Sequence, residues 1–102
     1  VDRNVLAMVE GSDPTLKDEV VIVSAHYDHE GADGNVVFAG ADDDGSGTVA
    51  LVEIADAYAL AAAAGQRPKR SVLFAAWGSE ERDRCSAPGP GASRRRARRG
   101  TR

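Results

Sequence analysis

At 102 residues the chain has the length of one domain. Its single cysteine, Cys85, excludes an intrachain disulfide, and no continuous apolar run has the length needed to span a bilayer. Charge divides it: residues 1–81 carry 5 Lys/Arg against 15 Asp/Glu, and residues 82–102 carry 8 Arg against 1 Asp, which suggests an acidic site followed by a basic tail suited to an anionic partner.

The chain opens at Val1 without a start methionine, a basic n-region or a signal-like apolar block, and reads as a piece of something longer. Asn4–Val9 is expected to form a short strand, with a turn at Gly11-Ser12-Asp13-Pro14. Glu19–Ala25 (EVVIVSA) is a nearly continuous β-branched run and predicts a central strand buried on both faces. Residues 27–44 are polar and rich in Gly and Asp, which predicts a long functional loop. Ser46–Ala64 reads as a helix, because Val49, Val52, Ala55, Tyr58 and Ala62 recur at helical spacing and Leu51 and Ile54 widen the stripe. Asp44 or Ser46 can cap its start, and Gly65 and Pro68 end it. Ser71–Trp77 (SVLFAAW) predicts a second buried strand, delivered to Glu80-Glu81. Strand, loop, helix, strand is an α/β order, and a right-handed crossover makes the two long strands parallel neighbours with their ligand-binding residues at the carboxyl ends. Residues 82–102 contain almost no large apolar side chain and predict a disordered Arg-rich tail.

Three motifs sit where such a sheet places its chemistry. His26 follows the first long strand with Asp28 two residues on, and an imidazole that ligates a metal needs an acceptor to fix its tautomer. A lone H-x-D is more simply a solvated strand end, and His29, Glu30 and Asp33 read as loop surface. Asp42-Asp43-Asp44 precedes the helix; dipole complementarity accounts for one or two of these carboxylates, typically Asp44, and a divalent ion would relieve the repulsion of the third. Glu80-Glu81 taken alone is surface sequence. At a strand end its two carboxylates would point in opposite directions, one to bind metal and one to act as base.

In this order, His26-Tyr27-Asp28, Gly40-Ala41-Asp42-Asp43-Asp44-Gly45-Ser46-Gly47 and Glu80-Glu81 resemble the metal-binding half of zinc aminopeptidases of the M28 family, from about Val5 to Glu81. The resemblance implies a partial three-layer α/β/α sandwich on a mixed, largely parallel sheet, an incomplete zinc-exopeptidase fold. It implies two Zn2+ ions in the intact domain, with His26 on one, Asp42 bridging both, Glu81 on the other, Asp28 orienting His26 and Glu80 as general base. It also implies a cis peptide at Asp42-Asp43. The substrate would be a peptide or protein N-terminus, with no specific nucleic acid and no membrane as partner. The compartment stays open, a secreted or periplasmic parent included.

The family draws five zinc-ligand residues, of which three have counterparts here; an Asp and a His would come from sequence beyond the E-E strand. Shifting the reading frame within Asp83–Gly91 allows Ser-Leu-Leu-Gly-Ser-Arg-Ala-Trp, close to the family's usual continuation, so residues 82–102 read as frameshift-derived and the chain as a truncated, inactive fragment. The alternative is a small polyanion-binding protein acting through Arg94–Arg99, although no aromatic residue follows Trp77 to stack on bases.

Overall fold

The computed structural model describes residues 3–81, and the expectation for the tail at 82–102 lies outside them. Five strands and one long helix form in the order β1 (Val5–Val9), β2 (Val20–His26), β3 (Ala32–Asp33), β4 (Val36–Val37), α1 (Ser46–Ala63) and β5 (Ser71–Trp77). The main sheet has the order β1-β5-β2. β2 and β5 run parallel, Val20 opposite Ser71 through His26 opposite Trp77, as the crossover through α1 requires. β1 is antiparallel to β5, with Val5 opposite Ala76 and Val9 opposite Val72. The sheet is therefore mixed, evenly rather than largely parallel.

One correction concerns which strand is central. β5 lies between two partners and buries Val72, Phe74 and Ala75, whereas β2, expected to be covered on both faces, is an edge strand with Val20, Val21 and Ile22 exposed. Composition reports only that a strand is apolar; position in the sheet depends on which neighbours the chain supplies. α1 covers one face. Leu51 packs into a cluster with Ala25, Val72 and Phe74, flanked by Ala55 and Tyr58. The Tyr58 and Phe74 rings meet edge to face with centroids 5.6 Å apart. Val49, Val52, Ile54 and Leu60 remain exposed, so the helix uses only part of its expected stripe. By length and composition alone, segment 41–63 is apolar enough to cross a membrane; here its Leu51 side packs on the sheet and it carries Glu53 and Asp56. Among the described residues no helix covers the opposite sheet face, where Leu6, Met8, Val20 and Ile22 are exposed, so two layers are formed rather than three.

The helix ends as its sequence predicts. Gly65 takes a left-handed φ of 80°. Its N–H donates to Ala62 O at 3.0 Å and that of Gln66 to Ala61 O at 2.8 Å, the paired bonds of a Schellman end. The segment expected to be a long functional loop contains the small β3–β4 hairpin, turning at Gly34-Asn35 with Asp33 opposite Val36.

The turn after β1 is fixed by Asp13, whose Oδ1 accepts from Thr15 N at 2.9 Å and Leu16 N at 3.0 Å. Those backbone N–H groups, Leu16 foremost, hold the Asp13 carboxyl below its ordinary value. A depressed carboxylate contributes stability above its unfolded value near 3.8 and loses it as pH falls through the folded one. Asp13→Ala is therefore expected to lower the melting temperature at pH 7, and the gap from wild type should close as acid protonates Asp13. A gap of constant size down to pH 2 would remove the carboxylate from this account.

Candidate metal centre

The parallel register brings the ends of β2 and β5 to the same edge. Tyr27 N donates to Trp77 O at 2.9 Å, continuing the pairing one residue past the strand. Beyond Gly78 the chain turns, and Glu80 and Glu81 are helical rather than extended. The first N–H groups of a helical turn have no intrahelical acceptor and favour an anion. Asp28 supplies it: Oδ1 accepts from Glu80 N at 3.2 Å and Oδ2 from Glu81 N at 3.0 Å. Burial opposes the charged Asp28 carboxylate, but the N–H groups of Glu81 and Glu80, with His26 nearby, outweigh it and lower the pKa.

Asp28 was expected to orient His26, and its backbone carbonyl comes nearer the ring than its carboxylate does. His26 Nδ1 lies 3.3 Å from the Asp28 carbonyl oxygen and 3.6 Å from Oδ1, while the carboxylate is spent on the Glu80-Glu81 turn. The helical turn also changes the expectation for the glutamates. Instead of pointing apart, Glu80 and Glu81 each bring a carboxylate oxygen within 4.8 Å of the other and of a His26 ring nitrogen.

The aspartate triplet divides its work. Residues Ala41–Gly45 form a wide helical turn broken at Asp43 and Asp44. Asp44 Oδ1 accepts from Gly47 N at 3.1 Å, capping α1, and its Oδ2 accepts from His26 N at 3.2 Å. Thr48 Oγ1 donates to His26 O at 2.7 Å, so both backbone groups of His26 are held by the start of the helix. Asp43 faces the imidazole, with Oδ1 3.0 Å from His26 Nε2. Asp42, the expected bridge, is turned elsewhere: Ser46 Oγ donates to its carbonyl at 3.1 Å and to its Oδ1 at 3.4 Å. The cis peptide likewise falls at Asp43-Asp44, not Asp42-Asp43. The reason is register. Asp44 serves as the cap, which leaves its predecessor Asp43 against β2 and puts Asp42 a residue too far along the turn. Three identical residues in a row carry no sequence signal for this choice.

His29 is exposed on the loop, as expected, and its Nδ1 also stands 3.3 Å from Oε1 of the buried Glu81. No spacing rule would have found it. Glu30 and Asp33 are exposed, as expected. His26, Tyr27, His29, Gly40, Thr48 and Val49 line an open cleft of ≈ 300 Å³, and Glu80 lines a second of ≈ 290 Å³ with Asn4, Trp77 and Ser79.

The donor set suits a divalent cation. Each ring nitrogen of His26 faces an oxygen, the Asp28 carbonyl on Nδ1 and the Asp43 carboxylate on Nε2, so the metal-free ring favours a proton on both. Burial acts against that charge, but the Asp43 bond, the Asp28 carbonyl and the charges of Asp44 and Glu80 raise the pKa overall. A cation lodged between Nε2 and the carboxylates would take over the role of the second proton, and imidazole with carboxylate oxygens is a zinc-type ligand set.

Comparison with known proteins agrees with this geometry. A sequence model of Peptidase family M28 matches residues 4–98, past the last motif at Glu81. A probable glutamate carboxypeptidase of Arthroderma benhamiae is 35% identical over 78 residues, covering 76% of this chain and 10% of its own length. The probable glutamate carboxypeptidase AMP1 of Arabidopsis thaliana is 36% identical over 79 residues, covering 78% of this chain and 10% of its own. The chain thus spans about a tenth of the length of these curated relatives. No solved structure matches it. With the family's sequence pattern running through nearly all of its length and its motifs gathered at one sheet edge, the chain belongs to peptidase family M28, a family of metal-dependent peptidases.

Proposed function

We propose that this chain carries the metal-holding half of a zinc-dependent exopeptidase, with His26, Asp43 and Glu81 as its zinc ligands and Glu80 as the general base. The observation that supports this most is the convergence of His26, Glu80 and Glu81 donor atoms within 4.8 Å, with Asp43 Oδ1 3.0 Å from His26 Nε2. Asp43 replaces Asp42 as the shared carboxylate. Bound zinc would supply an acidified water and a polarised carbonyl.

The residues of the chain do the rest. Asp28 fixes the turn that presents both glutamates, and Asp44 with Thr48 holds His26 in place. Glu80 takes a proton from the attacking water as its oxygen bonds to the peptide carbonyl carbon, and returns that proton to the amine nitrogen as the C–N bond breaks. Its carboxylate lies within 4.8 Å of the His26 and Glu81 donor atoms, close enough to serve.

The expected substrate is a peptide N-terminus, by resemblance to the aminopeptidases of the family. A second reading, cleavage at a C-terminal glutamate, is favoured by the names of the two relatives at 35% and 36% identity. Aminoacyl amides and N-acyl-glutamate peptides distinguish the two end groups once active protein is in hand.

The ligand set is tested by calorimetric zinc titration of the 102-residue chain. Binding should be lost in His26→Ala, Asp43→Asn and Glu81→Ala and kept in Asp42→Asn. Loss in Asp42→Asn with retention in Asp43→Asn would return the bridge to Asp42.

A further inference from the structure

His29 has no part in the chemistry described above, yet its ring packs against Gly40 and its Nδ1 meets the Glu81 carboxylate. A Cβ built on Gly40 would lie 2.7 Å from His29 Cγ and 2.9 Å from Cδ2 and Nδ1, well inside contact distance. Gly40 itself has φ −88° and ψ 35°, a conformation open to an L residue, so the glycine is required by the ring beside it rather than by its own backbone. Its carbonyl accepts from Gly45 N at 2.9 Å, which fixes the wall against which His29 rests. The same Nδ1 of His29 lies 3.3 Å from Glu81 Oε1.

We infer that His29 is a positioning residue for Glu81, packed against the Gly40 backbone and in contact with that carboxylate, so that one carboxylate oxygen is engaged and the other is left to the metal. This rests on the ligand role proposed for Glu81. A carboxylate side chain has torsional freedom that must be given up on ligation. The 3.3 Å contact of Nδ1 with Oε1 removes part of it in advance, and groups that orient ligands in this way typically change metal affinity 10–100-fold.

The geometry makes a sharper demand than a loss on mutation. Gly40→Ala removes no donor or acceptor; it acts only by pushing the His29 ring away. Its effect should therefore depend on His29 being present, the signature of coupled neighbours in a double-mutant cycle.

The test is zinc affinity by calorimetry for wild type, His29→Ala, Gly40→Ala and the double variant, with circular dichroism showing that each is folded and X-ray absorption counting imidazole ligands. Expected are affinity losses of about 10–100-fold in each single variant, a double variant no worse than His29→Ala, and an unchanged imidazole count. Recovery in His29→Gln, whose amide can still meet the carboxylate, would support a polar contact with Glu81 specifically. Unchanged affinity in His29→Ala, or a Gly40→Ala loss that persists in full without His29, would overturn the inference while leaving the ligand assignment standing. Loss of one imidazole in His29→Ala would make His29 a ligand and overturn it too. If the wild-type chain binds no zinc at all, the ligand assignment falls and takes this inference with it.

Discussion

The 102-residue chain by itself is expected to show no measurable peptide hydrolysis, and a chimera joining residues 3–81 to the remaining catalytic sequence of an M28 peptidase is expected to be active. In that longer protein Glu80→Gln should lower kcat by about 10²–10⁴-fold, the usual weight of a general base, with zinc content unchanged. Among the described residues only His26, Asp43 and Glu81 are assigned as ligands, fewer than a pair of ions needs, and no second wall closes over the ≈ 300 Å³ cleft to hold a substrate. The steady-state split is informative. A base acts in the transition state and should spare KM, whereas Glu81→Ala should remove zinc and activity together. Robust turnover by the 102-residue chain would refute the fragment reading; Glu80→Gln with near-normal kcat would move the base elsewhere.

Phe74→Ala is expected to unfold the chain. Truncating a buried Phe costs about 3–5 kcal/mol, against total stabilities of about 5–15 kcal/mol for ordinary domains. This core is small: among the described residues the buried hydrophobics are Ala25, Leu51, Val72, Phe74 and Ala75. Phe74 is the one ring among them, it contacts Tyr58 edge to face, and it sits on the central strand facing α1. Leu51→Ala, worth about 2–5 kcal/mol, should act in the same direction. Both are read by chemical denaturation and far-UV circular dichroism. Phe74→Ala with a wild-type midpoint would mean that the α1–sheet contact is not what holds the strands together.

Much of the scaffold can be read from local pattern. β2 begins and ends one residue later than its apolar run suggests, α1 one residue earlier at its end, and β5 coincides with SVLFAAW, because long periodic or β-branched stretches bounded by Gly and Pro leave little choice. The helix end at Gly65 and the turn at Asp13 follow from the chemistry of single residues. What depends on the third dimension is not legible in this way. Whether Asp42 or Asp43 meets His26 turns on a register set by the Asp44 cap. The role of His29 arises only because two strand ends and a glycine wall come together. Glu80-Glu81 looks extended in a sequence that has just left a strand, and becomes helical where Asp28 receives its N–H groups. The small hairpin did leave a trace, since Gly34-Asn35 between Asp33 and Val36 is a recognised two-residue turn pair, outvoted by the polarity around it.

The bare face of the sheet sets how this chain behaves as a material. Among the described residues β2 has a strand partner on one side only, beside side chains such as Ile22, 59% exposed, and Met8 on the same sheet is 61% exposed. An open edge next to an apolar surface is a template for strand addition, so concentrated solutions should scatter light, bind hydrophobic dyes and seed β-rich assemblies. Ile22→Lys places a gatekeeper charge on that edge, away from the cleft, and should raise the solubility limit without altering zinc affinity. A solubility limit unmoved by that charge would locate the self-association on some other surface.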